Sequence, residues 1–149
     1  MERSEGEQVH EVELIAFRLG EQAYSIDIMQ VREIRGWTPA TPIPHSPEYV
    51  MGVINLRGVI MPIVDLRIKF GVGSAEYTPF TVVIILNLGA RVVGMVVDSV
   101  SDVTMLRQDQ IRPAPEFAAT VDTKYINGLC TLGERMLIVV DIERLMLSH

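Results

Sequence analysis

The chain has 149 residues, a length typical of one domain or of two closely packed subdomains, and 48% of its residues are hydrophobic. Its 13 basic and 19 acidic residues give a net charge of −6, so it repels a phosphate backbone, and no nucleic acid partner is expected. No stretch reaches the roughly 18 apolar residues of a membrane span. We therefore expect a cytoplasmic protein without direct membrane insertion.

The N-terminal residues differ in composition from the rest of the chain. Residues 1–11 are polar and rich in Glu, and we predict a mobile acidic tail because they have little apolar surface to offset the entropy of ordering. In the whole chain, 19 Val and 15 Ile outnumber 12 Leu. Side chains branched at Cβ pack well on a pleated sheet, so the composition favours an all-β fold.

From residue 12 the chain repeats one unit four times: an apolar strand, a turn with Gly, a second apolar strand and an Asp. The turn glycines are Gly20, Gly58, Gly89 and Gly133, and the aspartates are Asp27, Asp65, Asp98 and Asp141. Because glycine permits the positive φ of tight turns, the pattern predicts four antiparallel hairpins. Long apolar edges favour closure, so we expect two small barrels, each built from two consecutive hairpins.

The repeated aspartates are predicted to cap short helices. An Asp before a helix accepts hydrogen bonds from the free backbone N–H groups of the first turn. The predicted helices are Ile28–Arg35, Leu66–Phe70 and Ile142–Leu147. The segment after Asp98 is predicted to be a strand or a turn.

A search for catalytic or ligand-binding patterns finds none. The chain has no nucleotide-binding glycine motif, no catalytic serine motif and no histidine with a second ligand at zinc-like spacing, so we expect no metal and no cofactor. The lone Cys130 lies in an apolar run and is predicted to be a buried hydrophobe. The residues favour a binding module, with two alternatives: an enzyme that uses the repeated aspartates, and a carrier with a ligand inside a barrel.

The chain resembles the CheW family of bacterial chemotaxis coupling proteins over about residues 13–147. The runs that carry the resemblance are VREIRG (31–36), GVINLRGVIMPIVDLR (52–67), TVVIILNLGARVVGMVVDSVSDV (81–103), IRPAPEF (111–117) and INGLCTLGERMLIVVDIERL (126–145). The resemblance implies two packed SH3-like five-stranded β-barrels in one CheW-like domain, residues 12–149, with a strand-exchanged boundary near residues 70–80. The additional strands are expected near residues 34–38 and 102–106.

The same resemblance implies a non-enzymatic scaffold. Such a protein joins the cytoplasmic tip of chemoreceptors to the regulatory domain of the histidine kinase CheA in membrane receptor arrays. A paralogous coupling protein of another chemosensory pathway, such as surface motility, is the alternative. The receptor-binding residues implied by the motifs are Val31, Glu33, Gly52, Asn55, Arg57 and Gly58, and those implied for the kinase and array interface are Arg112 and Phe117. Burial of Phe117 beneath its own loop is the competing interpretation of that residue.

Overall fold

The computed structural model describes residues 10–72, 76–113 and 125–147, which form ten strands and two short α-helices. The strands are β1 (Glu11–Leu19), β2 (Gln22–Asp27), β3 (Val31–Gly36), β4 (Val50–Leu56), β5 (Val59–Asp65), β6 (Val82–Leu88), β7 (Arg91–Val97), β8 (Ser99–Arg107), β9 (Ile126–Leu132) and β10 (Arg135–Val140). The helices are α1 (Leu66–Phe70) and α2 (Ile142–Leu147). In these residue ranges, no helix has the length and apolar character needed to cross a membrane.

The strands form two five-stranded sheets, in agreement with the predicted all-β class and consistent with SH3-like barrels. The first sheet has the order β8-β1-β2-β10-β9, and the second has the order β3-β6-β7-β5-β4. All four predicted hairpins form. Their grouping was predicted wrongly, because the first hairpin shares a sheet with the fourth through the parallel pairing of β2 with β10.

The chain crosses from one sheet to the other twice. It leaves the first sheet at residues 28–30 and returns at Asp98, so the described part of residues 70–80 connects strands within the second sheet. The four hairpins have similar apolar runs, and their local pattern does not specify which hairpin each will pair with. At the N-terminus, Glu11 was assigned to the tail but begins β1, because it pairs with Arg107 of β8. Residues 1–9 of the predicted tail lie outside the described residues.

Two of the three predicted helices are confirmed, Leu66–Phe70 and Ile142–Leu147. The predicted helix Ile28–Arg35 is wrong: a 3₁₀ turn covers Ile28–Gln30, and β3 follows at once. The backbone of β3 completes the second sheet by pairing with β6, and this tertiary pairing overrides the helical spacing of the apolar residues. The expected additional strands near residues 34–38 and 102–106 overlap β3 and β8.

Asp65 and Asp141 cap the two α-helices as predicted, and Asp27 caps the 3₁₀ turn that replaces the remaining predicted helix. The side chains of Asp27, Asp65 and Asp141 accept hydrogen bonds from backbone N–H groups of the turns that follow them, at 2.9, 3.0 and 3.0 Å. Asp98 differs because β8, and not a helix, follows it; its side chain accepts from the backbone N–H of Gly20 at 2.7 Å. The third copy of the repeat therefore uses the same residue for a contact between distant parts of the chain.

The largest apolar cluster lies between the sheets. It joins Phe17 of the first sheet, Ile84 of the second and Leu145 of α2, all at most 1% exposed. Each sheet also has a smaller core of its own. The core of the first sheet contains Cys130, as predicted, and burial raises the pKa of its thiol.

Candidate functional site

An ion pair on the second sheet joins two of the residues selected from the sequence. The carboxylate of Glu33, on β3, accepts a hydrogen bond from the guanidinium of Arg57, in the turn between β4 and β5, and another from Arg35 at 3.4 Å. The side chain of Arg57 is 64% exposed and that of Glu33 is 25% exposed. An exposed pair of this kind contributes at most about 1 kcal/mol to stability, so its charges are available to a partner.

The turn that carries Arg57 is held in a strained form. Arg57 and Gly58 have φ values of 52° and 86°, and a tight hairpin turn of this type requires positive φ at both central residues. The side-chain oxygen of Asn55 accepts a hydrogen bond from the backbone N–H of Gly58 at 3.0 Å. Asn55 and Gly58 thus fix the turn and place the guanidinium of Arg57 beside β3.

Val31 and Gly52 lie deeper than the charged residues. Val31 is half-buried against the cluster between the sheets. Gly52 is buried with a φ of 133°, and a Cβ built there would lie 2.0 Å from the carbonyl oxygen of Thr41. The backbones of Thr41 and Val53 exchange two hydrogen bonds of 2.9 Å. Gly52 therefore allows the proline-rich segment 37–49 to lie on β4, and it presents no side chain of its own.

A groove of about 410 Å³ runs between this proline-rich segment and the β4–β5 hairpin. Its lining includes Arg35, Pro39, Thr41, Asn55 and Ile60. Ile60 is 68% exposed and lies directly opposite Asn55 in the hairpin. Sequence reasoning missed Ile60, although the alternation of the hairpin places it on the same outer face as Asn55. An exposed apolar side chain thus lines the same groove as Arg35, which pairs with Glu33.

Of the two residues predicted for the array interface, the structure describes Arg112, which lies beside the first sheet. The backbone of Arg112 forms an isolated bridge with Leu129 of β9, through hydrogen bonds of 2.8 and 2.7 Å, and the Arg112 side chain is exposed. Gly128 permits this approach, because a Cβ there would lie 2.6 Å from the Arg112 carbonyl oxygen. Phe117 lies outside the described residues. The segment 111–113 is thereby anchored to the edge of the first sheet.

The described side chains were searched for a metal site and for carboxylates free to act in catalysis. Among the described residues, no group of three or more His, Cys, Asp and Glu side chains could hold a metal ion. Asp65 and Asp98, which the enzyme alternative would use, both pair with the guanidinium of Arg67. Asp141 caps α2. These carboxylates have structural partners that account for their positions.

Comparison with known proteins identifies the family of the chain. The family model of the CheW-like domain matches residues 13–148. Chemotaxis protein CheW of Klebsiella aerogenes is 57% identical over 137 residues, which cover 92% of this chain and 82% of that protein. Chemotaxis protein CheW of Rhizobium meliloti is 47% identical over 131 residues, 88% of this chain and 84% of that protein.

A solved structure is also similar over almost the whole chain. The crystal structure of the scaffolding protein TtCheW from Thermoanaerobacter tengcongensis superposes on this chain with a TM-score of 0.84 at 30% sequence identity. The superposition covers 97% of this chain and 93% of the TtCheW chain. These comparisons confirm the resemblance stated from the sequence, and they favour a non-enzymatic chemotaxis scaffold over a paralogue of another pathway. This chain belongs to the CheW family of chemotaxis proteins.

Proposed function

We propose that this chain holds the cytoplasmic tip of chemoreceptors and the regulatory domain of the histidine kinase CheA together in arrays at the membrane. The observation that carries the proposal is the separation of the candidate surfaces. The charged groove beside Glu33 and Arg57 belongs to the second sheet, whereas Arg112 is anchored to the first. A scaffold that binds two partners at once needs surfaces that do not compete.

The groove suits a helical partner. A receptor tip presents a coiled coil, in which charged positions flank the apolar seam between the helices. The groove has a matching arrangement, with Ile60 and Arg35 in its lining. Arg35 in turn shares the carboxylate of Glu33 with Arg57. In such an interface the apolar centre supplies most of the affinity, and the surrounding charges set orientation and partner choice.

Charge reversal at the ion pair tests the receptor surface. We expect Arg57→Glu and Glu33→Lys each to weaken receptor binding by about 1–3 kcal/mol, because each places a like charge against the partner and misaligns it. Both side chains lie at the surface, so folding stability should change by no more than about 0.5–1 kcal/mol. Titration calorimetry with a purified receptor-tip fragment measures the affinity. Binding of the CheA regulatory domain should persist in both variants.

Two further variants make this test specific. Arg135→Glu makes the same change in net charge as Arg57→Glu, at an exposed site on the first sheet, and should leave receptor affinity unchanged. The double variant Glu33→Arg with Arg57→Glu restores an ion pair of inverted polarity. We expect it to fold like the parent and still bind receptor weakly, because the partner meets inverted charges. Parental affinity in both single variants would place the receptor surface elsewhere.

We also propose Arg112 and Phe117 as contacts between kinase and scaffold in the array. A Phe in a proline-braced segment is a suitable interface anchor, so Phe117→Ser should weaken the assembly of kinase and scaffold on receptor-containing membranes by about 1 kcal/mol. Co-sedimentation measures assembly, and binding of isolated receptor fragment should not change. Phe80→Ser is the matched control. Phe80 is 74% exposed and lies just before β6 of the second sheet, away from the proposed array interface. Unfolding of Phe117→Ser alone would identify Phe117 as a core residue.

A further inference from the structure

A buried guanidinium lies at the end of the second sheet opposite to the Arg57 turn. Arg67 is 2% exposed and Asp65 is fully buried. Arg67 donates to both carboxylate oxygens of Asp65, from Nε at 3.0 Å and from Nη2 at 2.8 Å. Its Nη1 donates to the side chain of Asp98 at 3.0 Å and to the carbonyl oxygen of Glu76 at 2.7 Å. Four directed hydrogen bonds from a rigid fork fix this group in one orientation.

The electrostatics keep Arg67 charged despite its burial. Desolvation lowers the pKa of the guanidinium, but the hydrogen bonds and charges of Asp65 and then of Asp98 outweigh desolvation, so the pKa is raised. One guanidinium therefore pairs with two carboxylates, that of Asp65 at the end of β5 and that of Asp98 just after β7. The side-chain nitrogen and oxygen atoms that are fully buried in the described residues all have hydrogen-bond partners.

Asp98 connects this group to the first sheet. It lies where the chain crosses from β7 to β8, and one of its carboxylate oxygens faces Arg67. The other oxygen accepts from the backbone N–H of Gly20, in the β1–β2 turn, at 2.7 Å. The backbone N–H of Asp98 donates to the carbonyl oxygen of Arg18 at 3.0 Å. A single carboxylate thus bonds both sheets.

Tyr77 connects the same group to β3. Its hydroxyl donates to Asp65 at 3.2 Å, and the Arg67 guanidinium lies 5.1 Å from the centre of its ring. The ring stacks on Trp37 with a centroid distance of 4.0 Å. Trp37 directly follows β3, and its backbone N–H donates to the carbonyl oxygen of Thr81 at 3.3 Å. The contacts therefore run without a break from the β1–β2 turn to the strand that carries Glu33.

We propose that Asp65, Arg67, Tyr77 and Asp98, here called the Arg67 cluster, are positioning residues that fix β3 relative to the first sheet. The proposal rests on the proposed function, because it assigns receptor and kinase contacts to different sheets. The apolar core between the sheets is non-directional, whereas the hydrogen bonds of the cluster specify one arrangement. Receptor-dependent control of the kinase needs that arrangement, whereas separate binding of each partner does not.

Asp98→Asn tests the proposal at the crossing between the sheets. The amide keeps the size of the side chain, but Gly20 and Arg67 donate to different oxygens of Asp98, and in Asn one of these positions becomes an NH2 group that cannot accept. We expect faster hydrogen exchange at Gly20 and along β3, and a shift in the emission of Trp37, the single tryptophan. Affinities for receptor tip and kinase domain should stay within about twofold, while receptor-dependent kinase activation falls by about fivefold.

Asp141→Asn is the matched control. It makes the same change in the fourth copy of the repeat, where the carboxylate caps α2, and should alter neither exchange along β3 nor activation. Tyr77→Phe is a second variant that keeps the ring on Trp37 and removes the bond to Asp65, and it should lower activation by about twofold. If Asp98→Asn unfolds, the same measurements on Tyr77→Phe decide the matter.

The outcomes separate the inference from the proposed function. Parental exchange along β3 and parental Trp37 emission in both variants would overturn the inference, whatever the chain binds. Parental kinase activation in both variants would overturn it as well. Failure of the parent chain to bind receptor tip or kinase domain would instead overturn the proposed function, and the exchange measurements would still show whether the cluster positions β3.

Discussion

Arg67→Met is expected to lower the free energy of unfolding by about 3–5 kcal/mol, the range found when one partner of a buried ion pair is removed. Methionine fills much of the space of the arginine stem but provides no donors. The carboxylate of Asp65, which is fully buried, would keep only the hydroxyl of Tyr77 and one backbone N–H as donors. Urea denaturation followed by circular dichroism measures the change.

Two companion variants isolate the cause of that loss. Arg107→Met removes an exposed arginine whose pairing with Asp109, at 3.1 Å, lies in solvent, and it should cost at most about 1 kcal/mol. Adding Asp65→Asn to Arg67→Met removes the unpaired charge and should recover part of the stability, since the burial of a lone carboxylate dominates the loss. A stability of Arg67→Met within about 1 kcal/mol of the parent would contradict this account.

The hairpins were predictable because their signals are local. Apolar runs on either side of a glycine specify a strand, a turn and a second strand, and the turn glycines Gly20, Gly58, Gly89 and Gly133 all have positive φ. The pairing between hairpins is set by packing between distant parts of the chain, so the consecutive grouping failed. For β3 the apolar spacing indicated a helix, but the open edge of β6 offered backbone hydrogen-bond partners along most of the strand.

The candidate site was predictable only in part, for similar reasons. The family resemblance selected Glu33 and Arg57, but they are 24 residues apart, and their ion pair depends on how the sheet closes. Arg67 follows a capping aspartate in a five-residue helix and has no feature in the sequence that predicts burial. In the fold it pairs with Asp65 and also with Asp98, which reaches it across the fold because no helix follows that copy of the repeat.

Gly52 shows why a residue implied in binding need not touch a partner. We expect Gly52→Ala to lower the free energy of unfolding by about 3 kcal/mol, because a side chain at a φ of 133° is strained and its Cβ would overlap the carbonyl of Thr41. The proline-rich segment would then leave β4 and open the groove. Receptor affinity should fall with it, although Gly52 itself is buried.

Two other glycines distinguish strain from steric overlap at this position. Gly36→Ala meets no atom within 4 Å and has no positive φ, so it should be neutral or slightly stabilising. Gly58→Ala also meets open space but has a φ of 86°, so it should show the cost of strain alone, about 1 kcal/mol. The excess loss in Gly52→Ala then measures the overlap with Thr41, and hydrogen exchange at Thr41 and Val53 should rise in that variant alone. A Gly52→Ala protein with parental stability and exchange but weakened receptor binding would instead indicate a direct receptor contact at this position.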